Sequence, residues 1–227
     1  MDADKLKDLT NVKVNKNKPS ARPKQAATGD YSQLYPGQQQ AIDKLSDWYF
    51  SNELECTLEG VAGSGKTFIL RYFLENIVNK SYTVTAPTHK ALRVLESQVG
   101  RKGMTLHSLH GLKPNIDLQN FDIENPQFDP LNPSKIQNYN LVVIDECSMI
   151  NKDLFQLNRT TTYNVKILYV GDSLQLPPVN EEISLTFATV KNKVVLTDIV
   201  RQEEGNPLLE LFSLLRDDIK NQTNTFL

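Results

Sequence analysis

Gly60-Val61-Ala62-Gly63-Ser64-Gly65-Lys66-Thr67 fits the spacing G-x-x-x-x-G-K-[ST], and each fixed residue type has a chemical reason to be there. Glycines carry no Cβ, so the backbone N–H groups from Gly60 through Ala62, Gly63, Ser64 and Gly65 can close around a phosphate. The helix expected to follow offers the positive end of its dipole to the same anion. Lys66 can then reach the β- and γ-phosphates, and the Thr67 hydroxyl can hold Mg²⁺. A glycine-rich loop that matches by accident is the competing reading. The match follows a strand-like stretch, "CTLEGV", and precedes a helical pattern, which is the setting that phosphate binding requires.

Two further strand ends carry groups that complete such a site. "NLVVIDECSM" resembles a Walker B segment, with apolar residues delivering Asp145 and Glu146 at a strand's C-terminal end. Asp145 would hold the Mg²⁺ shell, and Glu146 would polarise the water that attacks the γ-phosphate, as general base. Taken alone, an acidic pair at a strand end reads equally well as a solvated cap. "YVGDSLQLPPV" ends a second strand in Gly171-Asp172 and then places Gln175 ahead of two prolines. Beside the Walker B strand, Gln175 could hydrogen-bond the γ-phosphate or its water, and the prolines would carry a shift there onward as a rigid displacement. Otherwise it is a surface glutamine in a tight loop.

The elements that must position these groups alternate along the chain. "YPGQQQAIDKLSDWYF" places Ala41, Leu45 and Trp48 at helical spacing. Thereafter "CTLEGV", "YTVTAP", "LVVIDE", "VKILYVGD" and "KVVLTD" read as short apolar strands, with helices starting at Lys66 and His89. That pattern predicts an α/β domain with a parallel sheet covered on both faces. A chain of 227 residues with 39% hydrophobic and 23% charged residues reads as soluble and globular. A net charge of −2 excludes a nucleic-acid binder that is basic overall, although local patches survive the average. Cys56 and Cys147 are too far apart in sequence for a metal-type spacing, and the charged start "MDADKLKDL" is not a signal peptide. No run approaches a membrane span, so the expectation is an intracellular, cytoplasmic protein. Between Asn11 and Ala27 there are five basic residues, no acidic ones and two prolines, which predicts a flexible basic arm over residues 1–30.

Taken in order, these segments resemble the superfamily 1 DNA helicases of the RecD/Dda type, superfamily 1B. "PGQQQAI" looks like the segment whose glutamine, here Gln38, reads adenine. "TAPTHKAL" is similar to motif Ia and "TLHSLHGL" to motif Ib, which implies contacts to single-stranded DNA by Pro87, Thr88, His89, Thr105 and His107. His107 keeps a second reading as a satisfied structural histidine. "GDSLQLPPV" resembles motif III, and "LTDIVRQ" the segment whose arginine, here Arg201, reaches the γ-phosphate. The resemblance implies a RecA-like ATP-binding domain over residues 31–202, with Lys66, Glu146, Gln175 and Arg201 in the chemistry.

It also implies a small β-hairpin, the pin, within residues 112–138, where Pro114, Phe121 and Phe128 surround a turn signal at Asn125-Pro126. An aromatic ring or proline there could stack on a base, worth about 1–3 kcal/mol. The implied cofactors are ATP and Mg²⁺. The implied partners are single-stranded DNA and duplex junctions, with no membrane. Such helicases have two RecA-like domains, so residues 203–227 are expected to form a helix leading toward a second motor domain supplied in cis or in trans. The expected function is that of the first motor domain of an ATP-dependent 5′-to-3′ DNA helicase. The alternatives are a single-domain nucleotide-switched module that binds DNA or protein, and a P-loop ATPase of the clamp-loader or PhoH type. The "TAPTHKAL" and "TLHSLHG" pair argues against the last.

Overall fold

The structure, a computed structural model, describes residues 31, 34–114, 128–175, 177, 178, 181, 183–196 and 218. Helix α1 (Pro36–Phe50) opens on a proline, whose missing N–H costs nothing in a first turn. It buries Ala41, Ile42, Leu45, Trp48 and Tyr49, the spacing of one helical face. At its far end the Lys166 ammonium donates to the carbonyls of Trp48, Ser51 and Glu53, at 3.0, 2.9 and 2.6 Å. Those bonds tie the end of α1 and the chain that follows it to the start of the strand that Lys166 opens.

Strands and helices then alternate: β1 (Glu55–Gly60), α2 (Lys66–Asn76), β2 (Tyr82–Ala86), α3 (His89–Val99), β3 (Met104–Thr105) and α4 (Leu106–Leu109). After β4 (Leu112–Pro114) and β5 (Phe128–Pro130) come β6 (Leu141–Ile144), α5 (Lys152–Thr161), β7 (Lys166–Gly171), α6 (Leu185–Thr189) and β8 (Asn192–Leu196). The main sheet has six strands in the order β3-β2-β6-β7-β1-β8, and every pairing in it is parallel. The α/β architecture expected from the alternation is therefore the one observed, a RecA-like P-loop fold.

Successive side chains of a strand point to opposite faces, and the core divides accordingly. Leu141, Val143, Leu168 and Val170 pack with Leu45, Phe73 and Leu95 of α1, α2 and α3. Their chain neighbours Val142, Ile144, Ile167 and Tyr169 pack on the other side with Leu109, Phe155 and Phe187 of α4, α5 and α6. Burial on both faces is why the strands read as apolar runs rather than as alternating patterns.

Outside the main sheet, β4 and β5 form an antiparallel pair in the register Leu112↔Pro130, Lys113↔Asp129 and Pro114↔Phe128. The hairpin insert expected from the sequence is thus present at its base. Phe121 and the Asn125-Pro126 turn lie outside the described residues, as do the arm, Arg201 and, except for Asp218, residues 203–227. Among the described residues, no helix is long and apolar enough to cross a membrane.

Candidate nucleotide site and nucleic-acid edge

The glycine-rich loop, Pro87 to His89, Thr105 to His107, Asp145 with Glu146, and Asp172 to Gln175 each stand at or just past the C-terminal end of a strand, so the parallel sheet brings them to one edge, while Gln38 comes from α1. Along that edge the strand order places Thr105 outermost, then Thr88, then Asp145 and Glu146, then Asp172 to Gln175, then the glycine-rich loop. Parallel sheets bind ligands there, where loops leave the carboxyl ends of the strands.

The glycine-rich loop leaves β1 and turns tightly, with the Ser64 N–H donating to the Val61 carbonyl at 3.1 Å. Gly63 and Gly65 have φ of 85° and 89°, a region that glycine alone occupies without strain. A Cβ on Gly60 would lie 2.5 Å from Ser64 Oγ and 3.1 Å from Leu196, so a side chain there would have to displace the Ser64 hydroxyl. Lys66 opens α2, and its ammonium donates to the carbonyls of Gly60 (2.6 Å) and Val61 (3.0 Å), which folds it back over the loop. Ala62 is exposed, whereas Ser64 is buried and Thr67 half-buried on the first turn of α2. Gln38 is buried against this loop, its Nε2 3.3 Å from where a Gly65 Cβ would stand. Its Oε1 accepts the Tyr35 N–H at 3.2 Å, which fixes the amide's orientation.

Asp145 continues the sheet ladder, its N–H donating to the Thr85 carbonyl at 2.9 Å. Burial pushes its carboxyl up to about 6; the Glu146 backbone N–H opposes the rise, the Glu146 charge adds to it, and the Lys66 ammonium opposes it. The basic and acidic halves of the site therefore act on each other. Glu146 itself sits at φ 52°, ψ 42°, a left-handed conformation that is uncommon for a side chain of its size. This turns the chain sharply into a short 3₁₀ segment, Cys147–Met149.

The β7 end comes close to that segment, since a Cβ on Gly171 would lie 2.9 Å from Cys147 Sγ and 3.1 Å from Phe187 Cζ. Beyond it the buried Asp172 takes the Leu174 N–H on its carboxylate (3.0 Å) and the Gln175 N–H on its carbonyl (3.2 Å). The Gln175 side chain is exposed, and its Oε1 accepts the hydroxyl of the buried Ser148 at 3.1 Å.

At the other end of the edge, Thr88 caps α3 by accepting the Ala91 N–H, and Thr105 caps α4 by accepting the Ser108 N–H, both at 3.2 Å. Pro87 is half-buried and His89 exposed on the first turn of α3. The His107 ring stacks on Phe128 of the hairpin, with centroids 4.1 Å apart and planes 26° apart, and burial lowers its pKa. The structural reading of His107 thus has a physical basis beside the nucleic-acid one. Sequence reasoning missed this stack, the Ser148–Gln175 bond, and a 2.6 Å bond from the Lys152 N–H to Glu181 Oε1. Ser148 lies inside the quoted acidic segment, but its position there carries no signal of a partner in another strand's loop.

The sequence profile of a family described as an AAA domain matches residues 33–226. The chain belongs to that family. Its motifs and its likeness to helicases are those of a superfamily 1B RecA-like domain. It is 37% identical over 192 residues to an uncharacterized protein of Acanthamoeba polyphaga mimivirus, covering 72% of this chain and 38% of that protein. To the ATP-dependent DNA helicase dda of Enterobacteria phage T4 it is 26% identical over 153 residues, covering 66% of this chain and 34% of dda. Among solved structures it superimposes on a Pif1 helicase from Bacteroides in complex with ADP-AlF3 and ssDNA, with TM-score 0.54 and 26% identity. That match covers 81% of this chain and 46% of the Pif1 chain. The chain spans about a third to a half of the length of these proteins.

Proposed function

We propose that the domain is the first motor domain of an ATP-dependent 5′-to-3′ DNA helicase. One observation carries the reading: the glycine-rich loop, Asp145, Gln175, Thr88 and Thr105 stand along a single sheet edge, with Gln175 between the acidic pair and the loop. The loop from Gly60 to Gly65 holds the phosphates, Lys66 neutralises them, and Thr67 with Asp145 holds Mg²⁺. Gln38 reads the base. Glu146 activates water, Gln175 senses the γ-phosphate, and Arg201 adds a second cation there. Pro87, Thr88, His89, Thr105 and His107 contact single-stranded DNA, and the hairpin, with Pro114 and Phe121, meets the duplex junction. Translocation requires one grip to loosen while another holds, so a second RecA-like domain acts in cis or in trans. The reading carries a cytoplasmic location with it.

The test is calorimetric titration of Mg²⁺-ATP into the wild-type chain and into Lys66→Ala. Wild type should bind and the variant should not, because the phosphates lose their main cation. Equal affinity in the two proteins would remove the nucleotide assignment.

A further inference from the structure

We infer that Ser148 is a positioning residue for Gln175, holding the amide so that its donor end is the one presented to the γ-phosphate. The inference rests on the nucleotide reading above and deepens it. A carboxamide has two unlike ends: the oxygen only accepts, and the nitrogen only donates. The oxygens of a terminal phosphate accept, so a glutamine that senses it must offer Nε2. In this structure the Ser148 hydroxyl donates to Oε1 at 3.1 Å, which occupies the accepting end.

The two partners differ in a useful way. Ser148 is 1% exposed, whereas Gln175 is exposed, so the anchored end of the bond is rigid and the other end borders solvent. The glutamine backbone is held as well, through its N–H to the Asp172 carbonyl and through the turn that Asp172 Oδ1 makes with the Leu174 N–H. A second tie follows a few residues on, where Glu181 Oε1 accepts the Lys152 N–H at the start of α5. Gln175 and Glu181 are therefore tied to Ser148 and Lys152, two and six residues past Glu146. A pull on Gln175 reaches, through Ser148, the segment that carries Glu146.

The test compares Mg²⁺-AMP-PNP with Mg²⁺-ADP by calorimetry in wild type, Ser148→Ala, Ser148→Thr, Gln175→Ala and the double alanine variant, with thermal unfolding of each. Losing one neutral hydrogen bond corresponds to a change of about 3- to 10-fold. Ser148→Ala should lose preference for AMP-PNP over ADP by that factor and keep its ADP affinity. Gln175→Ala should lose the same preference, and the double variant no more than either single one. Ser148→Thr, which keeps the hydroxyl, should restore it. A purely structural serine would instead shift the unfolding temperature and leave the preference intact, and that result overturns the inference while leaving the nucleotide reading standing. If wild type fails to distinguish the two nucleotides, the reading and the inference fall together.

Discussion

The His110 imidazole is buried, with Nε2 2.6 Å from Asn158 Oδ1 and Nδ1 facing the hydroxyls of Ser134 and Thr161, each at 3.5 Å. An amide oxygen can only accept, so Nε2 carries a proton and donates it to Asn158. Burial lowers its pKa below 6.5; the Asn158 bond opposes this, and the charge of His107 adds to it. A lowered folded pKa means that the folded state resists a proton which the unfolded chain accepts. The stability contribution is then complete above about pH 6.5 and is lost as pH falls from there toward the folded value. His110→Gln cannot titrate. At pH 7.5 the variant should melt below wild type, having lost packing and a well-aligned bond, but the gap should narrow as pH falls to 5. Unfolding temperatures of both proteins across that range decide the matter, and a gap that stays constant or widens contradicts the assignment.

Gly171, at the end of β7, shows how closely two elements must approach to build the site. A Cβ there would meet Cys147 Sγ at 2.9 Å, a distance that real contacts do not tolerate, so Gly171→Ala forces β7 and the 3₁₀ segment apart. Overpacking of this kind costs about 1–3 kcal/mol. Because the nearest obstacle is the thiol, Gly171→Ala with Cys147→Ala should be less destabilised than the two single losses summed, as denaturant unfolding of all four proteins would show. Additive losses would mean that the Phe187 ring at 3.1 Å, not the thiol, resists the methyl group. The sequence does show that a strand ends at Gly171-Asp172. It does not show why the glycine is needed, because Cys147 lies 24 residues earlier and no periodicity links the two. The same limit applies to the stack of His107 on Phe128. By contrast, the helix starts at Lys66 and His89 were legible, since a loop glycine and a capping threonine mark them locally.

At the scale of the molecule, the strand order sets Gln175 between the glycine-rich loop and the segments that follow β6, β2 and β3. β6 and β7 lie side by side, so the glutamine stands between the acidic pair and the phosphate loop, while β2 and β3 carry Thr88 and Thr105 on the far side of β6. Coupling between nucleotide and DNA is a free energy shared by both sites, and it requires an element that both of them bias. Under the proposed function, in which Gln175 senses the γ-phosphate, the segment from Asp172 to Gln175 would be that element. In a protein that includes a second RecA-like domain, Gln175→Ala should depress DNA-stimulated ATP hydrolysis by tenfold or more, on the order of 1.4 kcal/mol of coupling. His89→Ala should behave differently: His89 is exposed at the start of α3, away from the phosphate loop, so losing it should weaken single-strand binding with basal hydrolysis nearly unchanged. Both variants must be compared at one salt concentration, since phosphate contacts make DNA affinity steeply dependent on ionic strength. Were Gln175→Ala to keep full stimulation while His89→Ala lost basal hydrolysis, the edge would be ordered as described but divided between the two ligands in some other way.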